Sequence, residues 1–356
     1  MLSFDEILAQ TTAVELLQSV LSSGRVPHAL LFHGPEGVGK ATTAATFGAA
    51  LVCASNHGGA CGSCACCSLI VAGNHPDFLH VGRLTRKEIE KKEKSRLTTQ
   101  DPDATEGDLG SQILVDQIRS ITSLVGLRPR QGQRRIFIVD PADRMNREAQ
   151  NSLLKTLEEP PDHSALILVS SRPHLLLPTV RSRCFAVGFS AMRTDELTQL
   201  LERRGMTRSE AAARAALSGG SLGGAITMDL DSRQERRQEI FEMLETLADG
   251  PRAIETLSAM ASSLAGKDEA TLTDGLDLAQ GLLRDAAYTG AVETPDRLIH
   301  TDLADALGRL GYRLGAERAA VLVASVERLR GDLRYNTNRI MIAEALLAAV
   351  AGGPVP

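Results

Sequence analysis

Short apolar runs alternate with amphipathic stretches along the N-terminal half of the chain. Apolar residues three or four positions apart predict a helix over residues 5–23. Unbroken apolar runs predict strands buried on both faces, because such strands have no polar side. They occur in HALLFH, 136–140, 165–170 and 184–189, and a further short strand is predicted before the amphipathic helix of ILVDQIRSITSLVGL. Strands that alternate with helices in this way are typical of an α/β domain.

The strand pattern stops near residue 192, and Leu and Ala then recur at helical spacing, as in 319–329 and 340–350. Glycine-rich breaks at 219–224 and at 250–251 divide this helical half. We therefore expect three domains: an α/β domain over 1–191, a small helical domain over 192–232 and a larger all-helical domain over 233–356.

Residues 83–111 differ from their surroundings, since they are dense in charge and poor in apolar residues. Such a composition buries too little surface to offset its ordering entropy, so it predicts an exposed insertion or a mobile loop. A role as a basic binding arm is disfavoured, because Glu is interleaved with Lys and Arg.

Composition excludes several classes of protein. The 356 residues are 43% hydrophobic and 23% charged, which is typical of globular domains, and the 3% aromatic content predicts an aliphatic core. A net charge of −5 argues against a protein that coats a polyanion. The N-terminus has no basic start, no run is apolar enough to cross a membrane, and five of the six Cys cluster in 53–67. We therefore expect no secretory signal and a reducing, cytoplasmic compartment.

Residues 34–41 match the phosphate-loop pattern GxxxxGK[ST] except at the last position. In such a loop the backbone around Gly34, Gly37 and Gly39 cradles phosphates, and Lys40 reaches the terminal ones. Ala41 lacks the hydroxyl that holds Mg²⁺, and Thr42 follows one residue late. The alternative is a glycine turn that only joins a strand to a helix.

The acidic partner of the loop is altered as well. The strand at 136–139 ends in Asp140-Pro141, where an ATPase of this kind usually has Asp-Glu. Asp140 can lie near a metal ion, but Pro141 cannot polarise an attacking water. The alternative for Asp140 is a helix-capping residue at the end of a strand.

Four cysteines, Cys53, Cys61, Cys64 and Cys67, have spacings typical of a structural zinc site. Four thiolates leave no open coordination position, so the site would stabilise the fold and not catalyse a reaction. A redox pair or unliganded thiols are the alternatives. The spacing leaves Cys66 without an assigned role.

Several motifs together resemble the AAA+ clamp-loader family, in particular the delta-prime subunits of bacterial DNA polymerase III. They are RVPHALLFHGPEGVGKA, the cysteine insertion after the loop helix, HPD at 75–77, VDQIR at 115–119, NSLLKTLEEPP at 151–161 and RSRC at 181–184. The resemblance covers residues 1–230 well and the remainder loosely.

The resemblance implies an AAA+ domain with a zinc module, followed by a helical lid and an all-α collar that forms a hetero-oligomeric ring. The implied partners are the motor subunits and the delta subunit, the sliding clamp indirectly, and primed DNA through the assembled complex. Arg183 would be an arginine finger in the nucleotide site of the neighbouring subunit, where it stabilises charge on a γ-phosphate. From the residues alone, Arg183 can also cap a helix or pair with a surface carboxylate.

Active relatives place a nucleotide-sensing arginine where this chain has Gly223. With Ala41 and Pro141, three groups needed for hydrolysis are missing. The resemblance therefore implies a non-hydrolysing stator in DNA replication, with weak or absent ATP and ADP binding and no ATPase activity of its own within a DNA-directed DNA polymerase holoenzyme. The alternatives are an active AAA+ motor ATPase and a zinc-bearing interaction module on a relic ATPase fold.

A local basic group consists of Arg128, Arg130, Arg134 and Arg135, and Lys155 lies on a helix that faces the duplex in related proteins. Contacts of such residues with phosphates would give salt-sensitive, sequence-independent DNA binding. The alternative is an ordinary solvated surface.

Overall fold

The computed structural model describes residues 3–55, 59–90, 97–98, 109–110, 112–250, 253–292, 298–333 and 338–354. The chain divides into two compact units. The first comprises Met1–Met192 with Ser221–Gly223, and the second comprises Arg193–Gly220 with Gly224–Pro356.

A five-stranded parallel sheet forms the centre of the first unit. Its strands are β1 (Ala29–His33), β2 (Phe78–Val81), β3 (Arg135–Val139), β4 (Ser164–Ser170) and β5 (Phe185–Gly188), in the spatial order β2-β3-β4-β1-β5. In this order β1 lies between β4 and β5, so the loop after β1 lies at the carboxyl edge of the sheet, where open α/β sheets bind ligands.

The described helices of the first unit are α1 (Thr11–Ser23), α2 (Lys40–Val52), α3 (Ala65–Val71), α4 (Arg86–Glu90), α5 (Val115–Val125), α6 (Arg147–Glu158) and α7 (Pro178–Arg181). Together with the sheet they form the predicted α/β phosphate-loop domain of the AAA+ type, which confirms the fold class.

Alternating side chains of the central strands build two cores, because successive residues of a strand point to opposite faces. In β3, Ile136 and Ile138 enter one core, while Phe137 and Val139 enter the other. All four are at most 2% exposed. The core is almost entirely aliphatic, as the composition indicates.

Three local predictions differ from the structure. The helix expected over 5–23 begins only at Thr11, after a short turn at Phe4–Glu6 and after Ala9, whose φ of 56° interrupts a helix. Before α5 there is an isolated bridge from Ile113 to Met145 and no strand. Strand β2, which pairs with β3, was not predicted.

The prediction of an exposed insertion over 83–111 is wrong for its first part. Leu84 is fully buried, and Thr85 accepts a hydrogen bond from the Glu88 amide while the Glu88 carboxylate accepts from the Thr85 amide at 2.9 Å. Because each side chain caps the other residue's backbone, this pair starts α4. Residues 91–96, 99–108 and 111 lie outside the described residues.

The second unit is helical throughout its described part. Its helices are α8 (Thr194–Arg203), α9 (Arg208–Leu217), α10 (Leu222–Thr227, whose first two residues belong to the first unit), α11 (Leu230–Ala248), α12 (Ile254–Ala265), α13 (Glu269–Ala291), α14 (Ala304–Leu314), α15 (Ala316–Asp332) and α16 (Arg339–Val350). Leu and Ala dominate its core. A division of this region into a lid over 192–232 and a collar over 233–356 stays a prediction.

None of the helices among the described residues is long and apolar enough to cross a membrane.

Candidate functional site

The predicted phosphate loop connects β1 to α2. Gly34, Gly37 and Gly39 have φ values of 149°, 71° and 97°, in the region that favours glycine. A Cβ atom on Gly34 would overlap the carbonyl oxygen of Phe189. The loop therefore has the backbone conformation of its motif, and Gly34 is also required for packing against the end of β5.

The chain itself occupies the ammonium group of Lys40. Its Nζ atom donates to the carbonyl oxygens of Gly34, at 2.8 Å, and Pro35, and to Ser171 Oγ at 3.0 Å. An ammonium group has three N–H donors, so these acceptors use all of them. Burial lowers the pKa of Lys40, which is 5% exposed, and the nearby carboxylates offset this only in part. A bound phosphate would have to replace at least one of these acceptors.

The hydroxyl that should hold Mg²⁺ has no substitute nearby on α2. Ala41 and Thr42 are both exposed. Thr43 is buried, but its hydroxyl donates to the carbonyl oxygen of Gly39 at 2.8 Å. The first turn of α2 therefore offers the loop no free hydroxyl from Thr43.

Asp140 lies at the end of β3, close enough to Lys40 to affect its titration. Burial raises the pKa of Asp140 to about 6, an effect that Lys40 opposes and Asp143 and Glu36 increase. The short turn that follows has Pro141 as its N-terminal cap and no side-chain cap. This arrangement does not support a helix-capping role for Asp140, and it places the carboxylate beside the loop lysine.

Sequence reasoning missed Asp143 and Ser171, which complete this cluster. The buried Asp143 carboxylate accepts from Ser170 Oγ at 2.8 Å and from the Ser171 amide at 3.1 Å, and it pairs with Arg172 at 3.5 Å. Because Asp143 fixes the end of β4, it also fixes the serine that binds Lys40. The only signal in the sequence was that the ends of β3 and β4 meet at the same edge.

Gly223, where active relatives have an arginine, contacts the phosphate loop directly. Its amide donates to the Gly37 carbonyl oxygen at 3.0 Å, and a Cβ atom at position 223 would lie 3.3 Å from that oxygen. The absence of a side chain thus permits a close backbone contact on the outside of the loop.

The four predicted metal ligands lie together. The Sγ atoms of Cys53, Cys61, Cys64 and Cys67 are all within 4.8 Å of one another, with 3.9 Å between Cys53 and Cys64 and 4.0 Å between Cys61 and Cys67. Four thiolates about 2.3 Å from a tetrahedral ion would be ~3.8 Å apart. The cluster therefore fits a metal ion, which would join the end of α2 to the start of α3.

The surroundings of the sulfurs suit thiolate ligands. The amides of Cys61, Cys64 and Cys67 donate to the sulfurs of Cys53, Cys61 and Cys64 at 3.3–3.4 Å. Hydrogen bonds from Ser55, Ser63 and the Cys64 amide lower the pKa of Cys61 to about 5, whereas burial raises that of Cys67 to about 12. Metal binding would therefore have to displace the proton of Cys67.

Cys66 does not join the cluster. It packs against the core beside α2, and burial raises its pKa. It lies beside the ligands in sequence but is part of the hydrophobic packing.

Arg183 pairs with a carboxylate of its own chain, as one of the alternatives predicted. Its Nη2 atom donates to Glu158 Oε1 at 2.8 Å, and its Nη1 atom donates to the Thr179 carbonyl oxygen at 3.0 Å. The guanidinium group nevertheless stays on the surface, since the side chain is 36% exposed.

The predicted basic group is only partly available to DNA. Arg135 is 3% exposed and binds the buried Asp77 through Nε and Nη2, at 2.9 and 2.8 Å. Including Arg135 among residues that contact DNA was therefore wrong, because its guanidinium is enclosed. Arg128 and Arg130 remain exposed.

Comparison with known proteins places this geometry in a family. The family model described as "DNA polymerase III, delta subunit" matches residues 9–193. DNA polymerase III subunit delta' of Pseudomonas aeruginosa is 30% identical over 92% of this chain and 93% of its own length. Subunit gamma/tau of Mycobacterium tuberculosis is 28% identical over 82% of this chain, which covers 45% of that longer protein.

Among solved structures, RuvB from Thermotoga maritima is 17% identical and covers 75% of this chain and 85% of its own, with a TM-score of 0.43. The family model matches more than half of the chain, and the delta' relative aligns with nearly all of it. The chain belongs to the DNA polymerase III delta-subunit family.

Proposed function

We propose that this protein is the non-hydrolysing stator subunit of a DNA polymerase III clamp loader in DNA replication. In this role it turns over no ATP of its own. It holds its place in a hetero-oligomeric ring of motor and delta subunits and supplies Arg183 to the nucleotide site of the neighbouring subunit.

The observation that carries the first part of the proposal is the state of Lys40. Its three acceptors all belong to its own chain, so phosphate binding would begin with the loss of existing hydrogen bonds. The missing hydroxyl at Ala41 and the missing acid at Pro141 act in the same direction, since hydrolysis needs both a positioned metal ion and a positioned water. The Gly223 amide adds a contact that stabilises the empty loop.

The supply of Arg183 in trans is supported by its position. A guanidinium that remains on the surface beside the short turn α7 can be offered to another chain, whereas Lys40 and Asp143 are enclosed. An arginine in this role stabilises the charge that develops on a γ-phosphate during transfer.

We further propose that zinc occupies the cysteine cluster. Four sulfur donors in a near-tetrahedral arrangement favour Zn²⁺ over harder ions such as Mg²⁺ or Ca²⁺. Zinc would have a structural role there, because four protein ligands leave no position for a substrate.

Two ATPase measurements test the proposal. The purified, metal-loaded chain should hydrolyse ATP at background rates, and a complex reconstituted with a motor subunit, the delta subunit, the sliding clamp and primed DNA should be active. Arg183→Ala should then lower hydrolysis at the neighbouring site by about 10³-fold or more. Arg181→Ala, an exposed arginine two residues earlier, is the matched control. Robust turnover by the isolated chain would favour the motor ATPase, and an unchanged complex rate with Arg183→Ala would refute the finger.

A further inference from the structure

We infer that Glu158 is a positioning residue for Arg183, an inference that rests on the arginine-finger role proposed above. Glu158 belongs to the LEEPP segment, for which neither the phosphate loop nor the metal cluster provides a role. Its carboxylate holds the Arg183 guanidinium in a defined orientation before a neighbouring nucleotide is present.

Two separate elements hold the guanidinium group. Glu158 is the last residue of α6, and its Oε1 atom accepts from Nη2 at 2.8 Å. Thr179 lies in α7, and its carbonyl oxygen accepts from Nη1 at 3.0 Å. Since the guanidinium group is planar, one bond to each terminal nitrogen fixes both its position and the direction of its plane.

The backbone at Arg183 is also fixed. Its amide donates to the Val180 carbonyl oxygen at 3.2 Å, and the amide of Ser182 donates to that of Pro178 at 2.9 Å. The freedom that remains therefore lies in the long arginine side chain. Glu158 restricts that freedom at the distal end, where a finger must be placed accurately.

The place of Glu158 on α6 gives a second argument. The carboxyl end of a helix carries partial negative charge, so a carboxylate in its last turn is unfavourable for the helix itself. The stability of α6 thus gives no reason for an acidic residue at this position. The ion pair with Arg183 supplies a reason, because the guanidinium group compensates the carboxylate.

The pair leaves the finger able to act. A guanidinium group has five N–H donors, and the two bonds to Glu158 and Thr179 leave three for phosphate oxygens. Orientation before docking lowers the entropy that is lost when the neighbouring site closes on the arginine. Glu158 therefore affects hydrolysis without contacting the nucleotide.

The exposure of the pair makes its role in function separable from stability. The Glu158 side chain is 51% exposed and that of Arg183 36% exposed. Exposed pairs of this kind contribute little to folding, so variants at position 158 should fold normally.

The test measures ATP hydrolysis at the neighbouring site in the reconstituted complex with primed DNA. Glu158→Ala should lower kcat about two- to fivefold and leave the KM for ATP unchanged, which is the effect of losing one exposed orienting pair. Glu158→Gln keeps an oxygen acceptor for Nη2 and should recover most of the rate. Glu159→Ala removes the adjacent exposed carboxylate and serves as the matched control, with an unchanged rate.

The double variant Glu158→Ala/Arg183→Ala separates this inference from the proposed function. If Glu158 acts through Arg183, the double variant should be no slower than Arg183→Ala alone. A full effect of Arg183→Ala together with a wild-type rate for Glu158→Ala would overturn only the role of Glu158. A faster rate for Glu158→Ala would also overturn it, because the carboxylate would then restrain the finger. No effect of Arg183→Ala would overturn both.

Discussion

Ser171 Oγ accepts a hydrogen bond from Lys40 Nζ at 3.0 Å, although the two residues lie 131 positions apart in the chain. The serine follows β4 and the lysine begins α2, so the parallel sheet brings them together at its carboxyl edge. With the carbonyl oxygens of Gly34 and Pro35, this hydroxyl gives the loop lysine a complete set of acceptors. The phosphate loop is thus stable without a phosphate.

Restoring the missing hydroxyl should not restore activity. Ala41→Thr places a Mg²⁺ ligand at the position that the motif requires, but Lys40 keeps its acceptors and Pro141 still cannot polarise water. We expect ATP turnover by the isolated variant to stay at background, measured as release of labelled phosphate. An active motor subunit is the positive control. Turnover that appears with this single change would mean that the loop opens readily and that Pro141 is not limiting.

The cysteine cluster should bind one zinc ion per chain. Cys61→Ser removes one of the four thiolates, and we expect the metal to be lost and the free energy of unfolding to fall by about 4 kcal/mol or more, as is typical when a structural metal is lost. Zinc is measured by mass spectrometry of freshly reduced protein. Cys66→Ser and Cys184→Ser, which alter cysteines outside the cluster, are the controls and should retain full zinc content. Equal zinc in all three variants would contradict the assignment.

The buried pair of Asp77 and Arg135 should stabilise the first unit strongly. Asp77→Ala leaves the enclosed guanidinium group without its carboxylate, so we expect a loss of about 3–5 kcal/mol in the free energy of unfolding by urea. The control is Asp116→Ala, since Asp116 and Arg119 form an exposed pair at 3.6 Å that should contribute less than about 1 kcal/mol. Similar losses for both variants would contradict this interpretation.

Asp77 should also contribute to acid sensitivity. Burial alone would raise its pKa, but the amides of Gln131 and Arg130 and the Arg135 side chain hold that pKa below its usual value. A carboxyl group with a lowered folded-state pKa stabilises the protein above its unfolded-state pKa of about 3.9, and this contribution is lost as the pH falls through the folded-state value.

The corresponding experiment compares wild type with Asp77→Asn in urea at several pH values from about 7 downward. The variant should be less stable at neutral pH, and the difference between the two proteins should narrow below about pH 4. Acid also releases metal from thiolates, but both proteins share that effect. A difference that stays constant across the range would show that the charge of Asp77 is not linked to folding.

Features that depend on residues near one another in sequence could be predicted. The apolar runs of β1, β3, β4 and β5 and the spacing of the four cysteines are local patterns, and the structure confirms the α/β fold and the clustering of the four thiols. Thr85 and Glu88, three residues apart, also form a recognisable helix-start pattern, but the high charge of the surrounding segment obscured it.

Features that depend on distant partners could not be predicted. Nothing near Lys40 in sequence indicates Ser171, and nothing near Arg135 indicates that a carboxylate 58 positions earlier encloses it. Arg135 follows Arg134 and precedes an apolar strand, so it equally fits a surface basic group and a buried ion pair. Only the strand pairing of β2 with β3, which was not predicted, brings Asp77 beside it.

Gly34 carries a consequence for how such sequences evolve. Because the carbonyl oxygen of Phe189 fills the space of a side chain at this position, any other residue would disturb the end of β5 whether or not a nucleotide is ever bound. Selection for folding alone can therefore preserve part of the phosphate-loop signature long after its chemistry has gone. A motif search that reads this glycine as a sign of ATP use would count an architectural requirement as an enzymatic one.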